Sequence, residues 1–261
     1  MQDVIAGSFN LAQFVAATAG SKGSVAAVRG GWAVAGPIDI ANGYVNMAVR
    51  TDPDVAPGHL LDDVDAFFQQ VGHSYVVWAP VSDQALISEI GARGGQPDKA
   101  EPSPAMAIRT AIDHSSRFTC RPVRTEADIA TFTDFAERGY AIAGFGWMLR
   151  EYDCWNSPHM VWAIACDASE EVREDVSVAV GFACETTGGI YNVATPPEFR
   201  GRGGAAAVTT WVTNELFSRG VSAVTLQASQ AGFPIYERLG FETYDYYARF
   251  ALSPRVAGTD R

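Results

Sequence analysis

Apolar positions recur at helical spacing in residues 8–19 (SFNLAQFVAATA), where Leu11, Phe14, Val15 and Thr18 share one face. Ser8 or Asn10 serves as N-cap there and Gly20 as the stop. Strand-like runs follow at 24–28, 32–38 and 44–50, with Asn42-Gly43 between the last two as a hairpin signal. Residues 59–71 (HLLDDVDAFFQQV) read as an amphipathic helix that turns Leu60, Leu61, Val64, Phe67, Phe68 and Val71 inward. A strand at 74–80, a helix at 82–92 capped by Ser82, a Gly/Pro-rich loop at 94–104 and a strand at 105–110 complete this part.

Residues 111–117 (AIDHSSR) are polar and nearly patternless, so a boundary is expected there, dividing the chain into 1–114 and 115–261. Beyond it come a strand at 118–123 and a helix at 126–138, which Thr125 and Asp128 open as a capping box with Asp in the usual Glu place. An aromatic-rich stretch at 140–155 precedes strands at 160–167 and 176–185, joined by a charged turn. A strand at 190–195 leads through a Pro/Arg/Gly loop into a helix at 205–219, whose buried stripe is Val208, Trp211, Val212, Leu216 and Phe217. A strand at 221–228, a short helix at 233–239 and a strand at 241–252 end the chain.

The two parts end alike. Helix 59–71, strand 74–80, helix 82–92 and strand 105–110 repeat as helix 205–219, strand 221–228, helix 233–239 and strand 241–252. The pattern is that of an internal duplication in a mixed α/β (α+β) protein. Only the second copy has a glycine loop; the first has LDDVD, whose carboxylates repel a phosphate, so it is expected to be non-catalytic.

Composition narrows the function classes. With 261 residues, 48% hydrophobic and 19% charged, the chain can fill two compact lobes or one large domain. A net charge of −11 argues against nucleic acid or an anionic membrane as the main partner. Cys120, Cys154, Cys166 and Cys184 show no metal-ligand spacing and lie in or beside apolar runs, which fits reduced thiols, no metal and a cytoplasmic setting. No stretch approaches membrane-spanning length, and the first residues lack a basic region followed by an apolar run.

The stretch 189–206 (GIYNVATPPEFRGRGGAA) carries the chemistry. A strand, a loop of exposed N–H groups and a helix start concentrate unpaired donors, which suits a phosphate. Gly201 and Gly203 let backbone approach a ligand, and Arg200 and Arg202 add cationic forks. A Walker A loop needs a lysine that is missing here. The GxGxxA of Gly201, Gly203 and Ala206 lacks the acidic residue some 20 positions on that a dinucleotide fold requires.

The run Arg200-Gly201-Arg202-Gly203-Gly204-Ala205 resembles the Arg/Gln-x-x-Gly-x-Gly/Ala motif of the GNAT acyltransferase superfamily. Ile235-Tyr236-Glu237-Arg238-Leu239-Gly240-Phe241 resembles that family's LYxxLGF hallmark, in the right order and beyond a helix and a strand. The resemblance covers roughly residues 118–261, with the first half similar to a degenerate copy, as in tandem GNAT proteins. It implies the GNAT fold in two tandem lobes, each a mixed, mostly antiparallel central sheet flanked by helices. It also implies acetyl-CoA as co-substrate, held in a V-shaped gap between strands 190–195 and 221–228. The main chain of Val193, Ala194 and Thr195 would pair with the pantetheine arm, and N–H groups of Gly201, Arg202, Gly203, Gly204, Ala205 and Ala206 would bind the pyrophosphate.

Tyr236 matches the family's general acid; a phenol of pKa about 10 can protonate a thiolate whose acid lies near about 8.5. Ser229 stands where the family often has an asparagine, able to hydrogen-bond the cofactor or a water. No base is assigned. Strand 190–195 has no carboxylate, and strand 221–228 offers only Gln227, which cannot accept a proton at neutral pH. Glu185 and His159 read better as surface groups, and Cys184 as a structural thiol than as an acyl carrier.

The acceptor pocket is expected in 140–158, with Trp147, Tyr152 and Asp153 as substrate contacts; aromatic faces with carboxylates suit a primary amine. The resulting expectation is an N-acetyltransferase moving the acetyl group of acetyl-CoA to an amine of a small molecule or peptide in a ternary complex. A silent acyl-CoA sensor and a dinucleotide-binding protein remain as alternatives. The acceptor, the base, the acyl-chain preference and the oligomeric state are not set by these residues.

Overall fold

The computed structural model describes residues 2–19, 22–40, 42–98, 101–142, 154–167 and 173–255. The chain divides into two compact units, Met1–Ala105 with Thr243–Arg261, and Met106–Glu242. The division differs from a cut at 114/115 because the last strand of the chain pairs inside the first unit. Which strand a given strand pairs with is a long-range choice that local patterning does not encode.

In the first unit, β1 (Ser24–Val28), β2 (Gly31–Ala35) and β3 (Asn46–Arg50) form an antiparallel meander. β3 lies parallel to β4 (Tyr75–Pro80), and α2 (Pro57–Val71) makes the crossover between them. The final strand, β12 (Glu242–Leu252), pairs antiparallel with β4 along Tyr75–Pro80. Residues 36–45 form a longer hairpin loop than Asn42-Gly43 alone suggests. The Asn46 side chain holds it, donating to the carbonyls of Ile38 (2.8 Å) and Ile40 (2.9 Å) and accepting from Gly36 N–H (3.0 Å).

Helix α1 (Gln2–Ala19) starts six residues before the expected 8. Gly7, which propensity disfavours inside a helix, sits where a Cβ would collide with the Tyr244 hydroxyl, so close packing overrides propensity. Helix α3 (Gln84–Ala92) is capped by Asp83, not Ser82: the Asp83 carboxylate accepts from Leu86 N–H. The core of this unit gathers Leu60, Leu61, Val64 and Phe68 of α2 over Ala33, Ala48, Tyr75 and Val77. A two-residue strand β5 (Gln96–Pro97) pairs with β12. Strand β6 (Ser103–Ile108) then carries the chain into the second unit, whose core includes Met106 and Ile108.

The second unit orders its strands β11-β10-β9-β8-β7. β7 (Phe118–Pro122), β8 (Met160–Asp167), β9 (Glu174–Cys184) and β10 (Thr187–Ala194) are antiparallel in turn. β10 runs parallel to β11 (Ala223–Gln227), with α5 (Gly204–Ser218) as the crossover. Helix α4 (Glu126–Tyr140) opens with the expected capping box: Thr125 Oγ1 accepts from Asp128 N–H (3.2 Å), and Asp128 accepts from Thr125 N–H (3.0 Å). Side-chain alternation separates the two helices. Val161, Ala163 and Ala165 face Val208, Val212 and Leu216 of α5, whereas Trp162 meets Phe132 of α4 with ring centroids 4.7 Å apart. The short helix α6 (Phe233–Arg238) follows β11.

The two halves of the chain repeat one plan. A parallel strand pair joined by a helix, then a short helix and a strand, occurs as β3-α2-β4-α3-β6 and as β10-α5-β11-α6-β12. The fold class is therefore mixed α/β with mostly antiparallel sheets flanked by helices.

Candidate active site

The site is built where β10 leaves its neighbours. β10 and β11 pair only at Thr187–Ala223, Gly188–Val224 and Gly189–Thr225, although β10 continues to Ala194. On its other side the register with β9 breaks between Tyr191 and Ala194, and Asn192 takes a left-handed φ of 52°. Such a bulge bends the strand and frees backbone from the ladder. Ser177, fully buried on β9, holds the bent end: its hydroxyl donates to the Ala194 carbonyl (3.1 Å) and pairs with the Thr195 hydroxyl (2.8 Å).

Of the three expected pairing residues, all carry carbonyls that side chains already engage. The Tyr140 hydroxyl donates to Val193 O (3.1 Å), Ser177 to Ala194 O, and Arg200 Nε to Thr195 O (3.1 Å). The end of α4 also presses on this strand: a Cβ at Gly139 would lie 2.9 Å from the Ala194 Cβ. Tyr140, expected at the start of the acceptor stretch 140–158, instead bonds the strand expected to hold the pantetheine arm, and neither Gly139 nor Ser177 stood out as a site residue in the sequence. A small residue at the end of a helix was the only signal, and it needs the partner strand to be interpreted.

Next comes the loop into α5. Gly201 and Gly203 have φ of 76° and 98°, a region where a side chain is strained. Gly203 is the residue before the helix, and no side chain caps that end. The first N–H groups of a helix have no partner within it, so here they are left to solvent or to an anion. Gly204 has a different reason for its identity. A Cβ there would stand 3.0 Å from Val176 Cγ2 and 3.2 Å from Ser177 Cβ, so glycine lets the helix start press onto β9. Ala205 and Ala206, in the first turn, are half-buried.

The two arginines act differently from simple phosphate forks. Arg200 clamps the loop, reaching Thr195 O and, at 2.9 Å, Gly139 O. Arg202 contacts Glu174 (3.3 Å) and Glu198 O (3.1 Å) and lies 5.4 Å over the Phe199 ring. Glu198 in turn pairs with Arg138. Both guanidiniums therefore shape the loop, and the backbone donors of 201–206 are the groups it presents.

Beyond β11, Ser229 begins the turn into α6. Its Oγ accepts from Gly232 N–H (3.1 Å) and its carbonyl from Phe233 N–H (2.9 Å). Tyr236 is 8% exposed, edge-on to Phe241 at 6.0 Å between centroids. A Cβ on Gly232 would come within 2.8 Å of Tyr236 Cε2.

The groups set aside as surface or structural fall accordingly. Glu185 is exposed in the β9–β10 hairpin turn with φ 50°, at the end where β10 and β11 are paired. His159 is exposed just before β8. Burial, then the charge of Glu185, pushes the Cys184 thiol up, which disfavours a thiolate nucleophile. Burial likewise pushes Cys120 up to about 12. Trp147, Tyr152 and Asp153 lie outside the described residues. Among the described residues, no group of three or more His, Cys, Asp or Glu is arranged to hold a metal, and no helix is long and apolar enough to cross a membrane.

The first unit holds no comparable loop among its described residues. At the start of its crossover, Arg50 donates to the carbonyls of Pro53 (2.7 Å) and Val55 (2.5 Å) and pairs with Asp83 at 2.7 Å. That loop turns acceptors inward and engages them with a cation, the reverse of an anion cradle.

Residues 175–244 match the acetyltransferase (GNAT) domain family. No match is found among curated proteins. Among solved structures, a GCN5-related N-acetyltransferase from Kribbella flavida superposes with a TM-score of 0.69 at 14% identity, over 94% of this chain and 95% of that one. A tandem GNAT protein from the clavulanic acid biosynthesis pathway gives 0.61 at 10% identity, over 91% and 85%. A GCN5-related N-acetyltransferase from Sphaerobacter thermophilus gives 0.59 at 18%, over 87% and 81%. The match to the acetyltransferase (GNAT) domain lies almost wholly in the second unit, and the chain has the fold of these GCN5-related and tandem GNAT structures.

Proposed function

We propose that the protein is an acetyl-CoA-dependent N-acetyltransferase whose second unit passes an acetyl group to a primary amine of a small molecule or peptide. The observation that carries this reading is the uncapped start of α5, with left-handed Gly201 and Gly203, beside a strand pair that parts after Gly189 and Thr225. Acetyl-CoA, when bound, supplies the acetyl group as a thioester. Its pyrophosphate would be held by the N–H groups of Gly201, Arg202, Gly203, Gly204, Ala205 and Ala206, where helix-end donors favour negative charge. Val193, Ala194 and Thr195 would hold its pantetheine arm chiefly through N–H groups, since their carbonyls have side-chain partners.

Tyr236 is the proton source in this reading, for a departing thiolate. Burial and the edge-on contact with Phe241 restrict its ring, which supports a role that needs a fixed donor. Ser229 holds the turn that brings α6 into place. Direct attack in a ternary complex is favoured over an acyl-enzyme because Cys184 is kept protonated beside the hairpin turn, away from the parted strands.

The test is release of free thiol from acetyl-CoA with a panel of primary amines, followed by mass spectrometry of the amine. The account expects N-acetylated product and equal thiol. Acetyl-CoA binding with no thiol release from any amine would instead point to a sensor.

A further inference from the structure

Gln227 ends β11, two residues past Thr225, the last residue that pairs with β10. Both polar atoms of its amide, Oε1 and Nε2, are sealed from solvent and make no hydrogen bond within the protein. A buried amide without partners is destabilising, and such groups are rare in folded chains. A donor and an acceptor left open together, just beyond the point where the two strands part, can be complemented by a bound polar group.

Strand alternation fixes its side. Gly189 is opposite Thr225, so Tyr191 and Gln227, each two residues further, project from the same sheet face. Cross-strand register extends that row through Val180 to Trp162, which packs on Phe132 of α4. The α5 helix covers the other face, against Val224 and Leu226. Gln227 is thus on the α4 side, while the anion-binding helix start belongs to the α5 side.

We infer that Gln227 is a positioning and specificity residue for the acceptor, hydrogen-bonding an uncharged polar group, an amide or hydroxyl, next to the reacting amine. The inference rests on the acetyltransferase reading. An amide presents one acceptor and two donors, which matches another amide or a hydroxyl. It carries no charge to offset a buried ion, so a charged neighbour at this point is excluded by desolvation. Strand β11 carries no carboxylate that would serve instead.

The experiment compares wild type with Gln227→Met and Gln227→Glu, using amines matched in pairs with and without a neighbouring carboxamide or hydroxyl, glycinamide against propylamine among them. Wild type is expected to prefer the polar member by at least about tenfold in kcat/KM, and both variants to bring that ratio near one. The Kd for acetyl-CoA stays within about twofold. Ligand-free Gln227→Met melts at the same temperature as wild type or a few degrees higher, since it removes an unpaired amide. A ratio unchanged in the variants, a weakened acetyl-CoA Kd, or a lower melting temperature with the preference kept would each overturn the assignment. If wild type gives no calorimetric heat with acetyl-CoA, the acetyltransferase reading falls and this inference with it. Heat together with no acceptor preference removes the Gln227 assignment alone.

Discussion

Gly232 stands directly under Tyr236: a methyl group on the glycine would lie 2.8 Å from the tyrosine Cε2. A side chain at this position would force the ring or the turn to shift. Gly232→Ala is expected to push the ring aside and lower kcat at least about tenfold, because misplacement of a proton donor is costly. Acetyl-CoA affinity is expected to stay within about twofold. Steady-state kinetics beside calorimetry check this, and an unchanged kcat would break the link between glycine and tyrosine.

Tyr236→Phe removes the hydroxyl and keeps the packing against Phe241. Loss of a positioned general acid lowers turnover by about 10²-fold or more. The acetyl-CoA Kd is expected to be unaltered. Equal turnover in the two proteins would remove Tyr236 from the mechanism.

Asp128 offers a pH handle. Burial alone would raise its pKa, but hydrogen bonds from Arg124 N–H and Thr125 and the pairing with Arg121 outweigh burial and hold the carboxyl at about 2. The folded value lies below the ordinary value of about 3.9, so its contribution is present above about pH 4 and lost as pH falls toward 2. Asp128→Asn is expected to cost about 1–2 kcal/mol at pH 7, with a smaller gap at pH 3. Urea melts at the two pH values measure it. A gap that is constant or grows with acid contradicts the assignment.

The pattern of elements was largely legible because each helix and strand carries its own period, and the capping box at Thr125 and Asp128 is a local signal. The glycine loop was legible for the same reason: positive φ at Gly201 and Gly203 is a property of the residues themselves. What stayed hidden depends on distant partners. Nothing near β12 says that it pairs with β4, and nothing near Gly7 names Tyr244. The arginines show the same limit, since Arg200 and Arg202 meet carbonyls and carboxylates of neighbouring segments that their spacing does not reveal. Gln227 was readable as a residue that cannot act as a base; that its amide is sealed and unpaired required coordinates.

In the first unit, Arg93 joins an ion cluster in which it and Asp65 are buried while Asp62 and Glu89 reach solvent. Its side chain is 4% exposed and meets Asp62 at 2.8 Å, Asp65 at 3.1 Å and Glu89 at 2.8 Å, while Tyr75 donates to Asp65 at 2.7 Å. Removing one partner of a buried pair leaves an uncompensated charge and costs about 3–5 kcal/mol. Arg93→Ala is therefore expected to lower the melting temperature by several degrees. A melting curve that overlays wild type would show that the cluster contributes no net stability.

The proposed acyl-CoA site is single in the chain, formed by the loop into α5, while Arg50 fills the equivalent loop of the first unit. Isothermal titration of the full chain with acetyl-CoA tests it most directly. Saturable binding at one molecule per chain is expected; two molecules per chain, or no heat at all, would rule out the single site.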